Sequence, residues 1–541
     1  MLIDFAEISG TSKLFLDFIN DFEKISKYYK VNFRDEDSYK NIFDKIIERE
    51  NPNKSKIAEI IKEQYKGFNP SQKTVQNIEL LNDDKTIAVF TGQQLGLLGG
   101  PLYTVYKLFT AIKLSEHLNA KFSDYNFVPI FWMAGDDHDF EEISSVNIVS
   151  KENEIAKIVY SDGNEPDFNR GAVGDLLYNE SINEFKKIIQ ENIRETEFTK
   201  DLFALINNVL DEGLKIKTSF FDLLYQIFDD TGLIIFNPQN KEVKKILKPI
   251  FRKELINYKK HTNDLLLNSA DLDENYHAQV KIKPINLFMS DESGRYLIEP
   301  VEDEYRLKGK RKKITKDEIL SLVEDEPERF SANVLLRPIC EDYLFPTGFY
   351  IGGPGEISYY AQAIPLYKHY DLQHPIVFPR SSATIIEGNI AKILVKYNLS
   401  SLDFFKGSKE LKDLVVNSLS DVDLQNDFSN AENSIEDVLK TLSDNLIKID
   451  NNLLNVANNT KDKILHQLGV LKNKSMKSHE HKFDSALRQI SKAQNLIYPN
   501  SNLQERELTI INFVNRYGFD FFDWLYNELE IHEYRHQILE I

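Results

Sequence analysis

Apolar positions recur at spacings of three and four through the first eighty residues. SKLFLDFINDFEKISKYY and SKIAEIIKEQYKGF each place them on one helical face, so residues 1–80 are expected to be helical. The period then breaks. TIAVF (86–90) and FVPIFWM (127–133) are short, nearly continuous apolar runs of the kind buried strands carry, and LYTVYKLFTAIKLSEHL between them returns to helical spacing. Strand, glycine-bearing turn, helix, strand is a βαβ unit, which implies a parallel sheet with a right-handed crossover. Ligands of such sheets bind at the carboxyl ends of the strands, where TGQQLGLLGGP (91–101) and AGDDHDFEE (134–142) both fall.

Downstream the pattern is mixed. INEFKKIIQENI and TKDLFALINNVLDEG read as helices, NLFMS and RYLIEP as short strands, and GLIIFNPQNKEVKKIL (232–247) as strand, turn and helix that could rejoin the main sheet. The basic run KGKRKK (308–313) reads as a solvated loop, with a phosphate contact as the alternative. From residue 333, NVLLRPICEDYLFPTGFYIGGPGEISYYAQ and PIVFPRSSATIIE are sheet-like again, so an α/β core is split by an insertion. The expected divisions are 1–145 (N-terminal helices and the first half of the core), 146–330 (insertion), 331–415 (second half), 416–500 (a helical arm) and 501–541 (terminal helices packing on the core).

The arm is read from its heptads. Ile435, Leu442, Ile449 and Val456 recur every seven residues, with Leu439, Leu446 and Leu453 offset by four, and the seam resumes at Ile464, Leu468 and Leu471. The polar stretch KNKSMKSHEH (472–481) is expected to turn the chain, and Phe483, Leu487 and Ile490 to begin the returning helix of an antiparallel hairpin. Val438, Ile447, Leu454 and Ala457 widen the apolar stripe beyond one partner helix, so a homodimer through the arm is expected.

Composition narrows the function classes. With 42% hydrophobic and 28% charged residues over 541 positions the chain is an ordinary multi-domain globular protein. A net charge of −19 argues against a nucleic-acid-binding surface, while leaving room for a local basic pocket. The single cysteine, Cys340, excludes an intramolecular disulfide and a multi-cysteine zinc site. The N-terminus lacks the pattern of a signal peptide and no apolar run approaches a membrane span, so a soluble cytoplasmic protein with no membrane partner is expected.

Three segments carry the candidate chemistry. The glycine loop has neither GxxxxGK[ST] nor GxGxxG, but Gly99, Gly100 and Pro101 precede a helix start, where free backbone N–H groups attract anions. Gln93, Gln94, Tyr103, Thr104 and Lys107 add polar groups at the same end; a plain tight turn is the alternative. In GDDHDFEE, Asp136 and Asp137 can hold an ammonium group, and His138 can hydrogen-bond or take a proton, with Trp132 walling the pocket; consecutive acids make a poor metal site, and no metal ligand is assigned. In the third segment Arg337, placed at a strand end, can grip a carboxylate or phosphate, and Gly352, Gly353 and Glu356 repeat the glycine-then-helix arrangement. Cys340 has apolar and acidic neighbours that suit a nucleophile badly. Arg380, Ser381 and Ser382 follow a further strand and could close over phosphates.

TGQQLGLLGGPLYTVYK, FWMAGDDHDFEEI, LRPICEDYLFPTGFYIGGPGE and IYPNSNLQER together resemble the bacillithiol biosynthesis cysteine-adding enzymes, the cysteine ligase family, over essentially the whole chain. The resemblance implies a Rossmann-like nucleotidyltransferase core similar to class I aminoacyl-tRNA synthetases, connective insertions and a coiled-coil dimerisation arm. It also implies a reaction, the joining of cysteine to the amino group of glucosaminyl malate. Two synthetase signatures have no counterpart: GPLYTVYK lacks the histidines of the first, and KSMKS (474–478) matches the second only by eye, at the expected hairpin tip. The leading expectation is a ligase that activates the cysteine carboxylate with ATP, optionally with magnesium, as adenylate or acyl phosphate. Lys107 and Arg380 would then neutralise transferring charge, Asp137 and His138 would orient the amine, and Arg337 would hold malyl carboxylates. The rival is a catalytically degenerate scaffold that binds a thiol metabolite or nucleotide and dimerises. A metal-dependent hydrolase rests on GDDHD alone.

Overall fold

A computed structural model describes residues 1–420 and 423–541. The chain forms two compact units, residues 1–385 with 502–539, and residues 386–501 with 540–541.

The first unit is organised by five parallel strands, β1 (Thr86–Gln93), β2 (Asn126–Met133), β3 (Ile234–Phe236), β4 (Thr347–Gly352) and β5 (Ile376–Pro379). Their spatial order is β3-β2-β1-β4-β5, with Thr86 opposite Asn126 and Gln93 opposite Met133 along the β1–β2 ladder. This is the Rossmann order, and the direction of winding reverses between β1 and β4. Phe90, Ile130, Phe131 and Ile351 are wholly buried, which is why these strands read as unbroken apolar runs. Helix α1 (Tyr103–Lys121) crosses from β1 to β2, and GLIIF supplies β3 at the sheet edge.

The segment RPICEDYL departs from expectation. It forms a helix, α2 (Arg337–Leu344), and only TGFYIG is strand, so Arg337 opens a helix instead of ending a strand. The cause is local: proline is accommodated in the first helical turn, whereas Pro338 in a central strand would forfeit a ladder hydrogen bond. Helix α3 (Pro354–Tyr370) follows β4 directly, with Glu356 accepting from the Gly353 amide at 2.9 Å to close its first turn. The insertion builds an antiparallel sheet of five strands, among them Leu287–Asp291, Gly294–Val301 and Phe330–Ala332. The C-terminal stretch is helical as read, except for a last strand, His536–Glu540, that pairs antiparallel with Leu2–Ile3. Its partner lies at the opposite end of the chain, so no local pattern announces it.

In the second unit α4 (Leu424–Leu446) and α5 (Leu453–His481) form an antiparallel hairpin, with Lys461 and Lys472 ion-paired to Glu436 and Glu432. The turn lies at residues 447–452, not at KNKSMKSHEH. The Asp450 carboxylate accepts from the Asn452 amide and fixes the reversal, and the heptad phase runs through these residues by coincidence. Ile449 and Val456, assigned to the seam, are exposed accordingly, and KSMKS lies well down α5. Helix α6 (Asp484–Ile497) is not the return of the hairpin; it packs on helices Gly388–Lys396 and Ser408–Leu419. No residue of α4 is fully buried, and Val438, Leu442, Val456 and Leu471 stand exposed. Among the described residues no helix is long and apolar enough to cross a membrane.

Candidate active site

The carboxyl ends of β1, β2 and β4 open into a cleft of about 590 Å³ at the reversal of strand order, a volume ordinary for small-molecule sites. Most of the sequence-selected residues converge on it: Gln93, Gln94, Tyr103, Lys107, Trp132, Asp136, Asp137, His138, Arg337, Gly353, Glu356 and Arg380.

Its floor is a set of ion pairs. Lys107 projects from α1 a turn beyond Tyr103 and is only 2% exposed. Its ammonium lies 2.5 Å from Glu356 and donates to the Gly92 carbonyl (2.9 Å) and the Gln93 side chain (2.8 Å). Glu356 accepts further from Tyr350 at 2.7 Å. Burial draws the Lys107 pKa down even with Glu356 beside it. Burial also opposes ionisation of Glu356, but Lys107 and the Gly353 amide hold its carboxyl below the usual range, so the ammonium carries the burial cost. Arg337 donates to Glu341 (2.6 Å) and Tyr359 (3.0 Å), and Arg380 to Glu505 (2.7 Å). Each cation expected to meet substrate thus already faces a buried carboxylate. Lys107 in particular is held in the floor by Glu356 and is not free to neutralise transferring charge as expected of it.

The lip is built from β2 and the insertion. Asp136 pairs with Lys244 at 2.5 Å, while Asp137 turns elsewhere, accepting from the Gln94 side chain (2.7 Å) and the His138 amide (2.7 Å). Burial works against ionisation of Asp137, but the hydrogen bonds from the Gln94 side chain and the His138 amide and the charge of Arg295 hold its pKa well below the ordinary carboxylate value. Arg295, 5% exposed, reaches in from the antiparallel sheet, lies 3.8 Å over the Phe288 ring, donates to Ser331 (2.9 Å) and meets His138 Nδ1 at 3.0 Å. Nδ1 also lies 3.3 Å from Asp137 Oδ1, between a donor and an acceptor. A guanidinium can only donate, so with Nδ1 accepting from Arg295 it cannot donate to Asp137, and the ring hydrogen sits on Nε2. In this arrangement His138 offers the cleft an N–H donor rather than the base expected of it. Cys340 forms part of the wall; burial pushes its thiol up to about 12, which leaves it an inert surface.

Six selected residues do not line the cleft: Gly99, Gly100, Thr104, Gly352, Ser381 and Ser382. Gly99 and Gly100 hold φ of +89° and +69° in a buried turn, where a Cβ on Gly99 would meet Leu223, and the Gly99 and Gly100 amides donate within the loop. The tight-turn alternative is the one the structure adopts. Thr104 is buried on α1, and Gly352 ends β4. Ser381 donates to the Glu530 carbonyl and Ser382 to Glu505, so both serve the interior. KGKRKK also contributes nothing to the cleft.

The residues that sequence reading missed are Arg295, Lys244, Glu505, and the cleft cations Lys281, Lys283 and Arg506, which make no ion pair among the described residues. Only Glu505 and Arg506 carried a signal, lying in the NLQER stretch.

Residues 1–381 match the family described as "Bacillithiol biosynthesis BshC, N-terminal Rossmann-like domain", and residues 383–541 match "Bacillithiol biosynthesis BshC, C-terminal coiled-coil domain". A relative from Salinibacter ruber named "Putative cysteine ligase BshC" is 31% identical over 99% of this chain and 97% of its own. One of the same name from Chloroherpeton thalassium is 30% identical over 94% and 92%.

Proposed function

The chain belongs to the bacillithiol biosynthesis BshC family, and from that premise we propose that it is a cysteine ligase that forms an amide between the carboxyl group of cysteine and the amino group of glucosaminyl malate. The observation that carries this reading is the chemistry of the cleft lining, in which an ionised Asp137 and the His138 N–H share one cavity with Lys281, Lys283 and Arg506, cations with no ion pair among the described residues.

Amide formation from a free carboxylate is uphill in water, and ATP supplies the activation by making one carboxylate oxygen a leaving group. The donor set suits a polyphosphate: among the described residues Lys281, Lys283 and Arg506 have no carboxylate partner, unlike Lys107, Arg337 and Arg380, which are paired in the floor. Asp137 has lone pairs left for an ammonium group, and its low pKa keeps it charged at neutral pH. His138 Nε2–H is placed to donate to a carbonyl or phosphoryl oxygen as negative charge develops there. The amine's proton leaves through water or phosphate, since His138 has no free acceptor. The arm supports a homodimer, because α4 buries no residue completely and its exposed leucine and valine side chains want cover.

The matched ion pairs on the floor are also what a scaffold would have, and one assay separates the two. Purified protein is supplied with cysteine, glucosaminyl malate and ATP, and amide and nucleotide products are measured together. Amide with stoichiometric AMP or ADP supports the ligase. Ligand binding without turnover supports the scaffold.

A further inference from the structure

Glu36, His117 and His532 come together far from one another in sequence and outside the cleft. Glu36 begins the short turn Glu36–Ser38, His117 lies on α1 ten residues beyond Lys107, and His532 sits in the loop before the last strand. Their donor atoms all lie within 4.8 Å of one another. His117 Nε2 is 3.2 Å from Glu36 Oε1, and the two imidazoles face each other at 4.6 Å between centroids, 63° apart in plane.

We propose that this cluster is a divalent transition-metal site of the zinc type, with two imidazoles and one carboxylate as ligands and water in the fourth position. Tetrahedral zinc with nitrogen and oxygen ligands at about 2.0–2.2 Å needs donors about 3.3 Å apart. The Glu36–His117 separation already meets this, and His532, on an exposed loop, closes the rest by moving about 1.5 Å or less. Imidazole and carboxylate together favour zinc, nickel or copper over calcium or magnesium. Lys121, one turn beyond His117, is ion-paired with Glu36 through Oε2, which leaves Oε1 turned toward the histidines. That lysine orients the carboxylate and also repels a cation, so the site binds more weakly than a closed four-ligand one.

The loop that brings His532 is braced on both sides. The Glu530 amide donates to the Gln537 side chain, whose amide donates back to the Glu530 carbonyl, and that carbonyl also receives Ser381, the neighbour of Arg380. A cation at His532 would tie this loop to α1 and to the N-terminal turn, joining three distant stretches of the first unit. The proposal is independent of the reaction assigned to the cleft.

The test uses the full chain with any affinity tag removed, dialysed against chelator and titrated with cobalt(II), whose visible absorption reports a tetrahedral or five-coordinate site. One cobalt per chain is expected, displaced by zinc, together with a zinc-dependent rise in the melting temperature. His532→Ala, in an exposed loop, should keep the fold, weaken binding at least about tenfold and abolish the thermal shift. Lys121→Met should tighten binding several-fold by removing a like charge. Absence of stoichiometric binding, or equal binding by the parent and His532→Ala, overturns the proposal. Equal binding by the parent and Glu36→Gln also overturns it, since Glu36 would then not be a ligand.

Discussion

Replacing Lys107 with methionine removes an ammonium that is 2% exposed and leaves Glu356 in the floor with only Tyr350 and the Gly353 amide as donors. Removing one partner of a buried ion pair costs about 3–5 kcal/mol, because the remaining charge is uncompensated. The cost has a pH signature. With Lys107 present the Glu356 pKa lies below its ordinary value, so the pair stabilises above the unfolded-state pKa and is lost as pH falls. With Lys107 gone burial dominates and the carboxyl rises above its unfolded value, so the damage is greatest at high pH and eases as pH falls and Glu356 takes a proton. Lys107→Met/Glu356→Gln, with no charge left, should recover about 2–3 kcal/mol of the sum of the single losses. Urea unfolding followed by tryptophan fluorescence suits the measurement, because Trp132 and Trp524 both lie in the first unit and report it alone. If the two single losses add within about 0.5 kcal/mol, or Lys107→Met costs less than about 1 kcal/mol, the pair is not buried and coupled as described. Lys107 would then be a solvated lysine free to meet ligand.

Arg295→Met frees His138 Nδ1. Turnover should fall about 10²-fold at neutral pH while substrate binding changes little, and nitrogen NMR of the imidazole should show loss of the single Nε2–H tautomer; an unchanged tautomer refutes the role assigned to Arg295. His374 and His536 are buried and held down to about 4, below the unfolded-state value near 6.5, so both stabilise fully above that value. Stability of the first unit should therefore fall between pH 6.5 and 4, by roughly 3 kcal/mol per histidine at the lower end, and a flat profile in urea melts would contradict this. Cys340→Ala should keep activity within a few-fold, and iodoacetamide should not inactivate the native protein, since the thiol carries almost no thiolate at neutral pH. Leu442→Lys with Val456→Lys, on the exposed face of the arm, should convert dimers to monomers by light scattering without loss of helix; a persistent dimer places the interface elsewhere.

The parallel core was legible because strands buried on both faces have no polar positions to blur them, and β1, α1 and β2 fall where the apolar runs begin and end. The lip was legible for a related reason, since GDDHD follows a strand that can lead only to the carboxyl edge of the sheet. Electrostatic partners were not. Nothing local links Lys107 to Glu356, Arg380 to Glu505, or His138 to Arg295, pairs 249, 125 and 157 residues apart in the chain. Without them the cations looked free and the histidine looked basic. The glycine turn misled similarly: left-handed backbone at Gly99 and Gly100 serves packing against Leu223 as well as it would serve a phosphate, and only neighbours from other segments decide between the two. In the arm the heptad count found two helices but not their seam, since Leu442, Ile449, Val456, Ile464 and Leu471 stand exposed, and a seven-residue phase passing through Asp450 and Asn452 concealed a turn that those two residues themselves make.

Activation of the cysteine carboxylate in this cleft is tested most directly with cysteine labelled in both carboxyl oxygens with oxygen-18, incubated with glucosaminyl malate, ATP and the protein. The account predicts one labelled oxygen in AMP or in inorganic phosphate for every amide formed, according to whether the activated species is an adenylate or an acyl phosphate. Amide without label in either product, or no amide from protein that binds all three substrates, would contradict it.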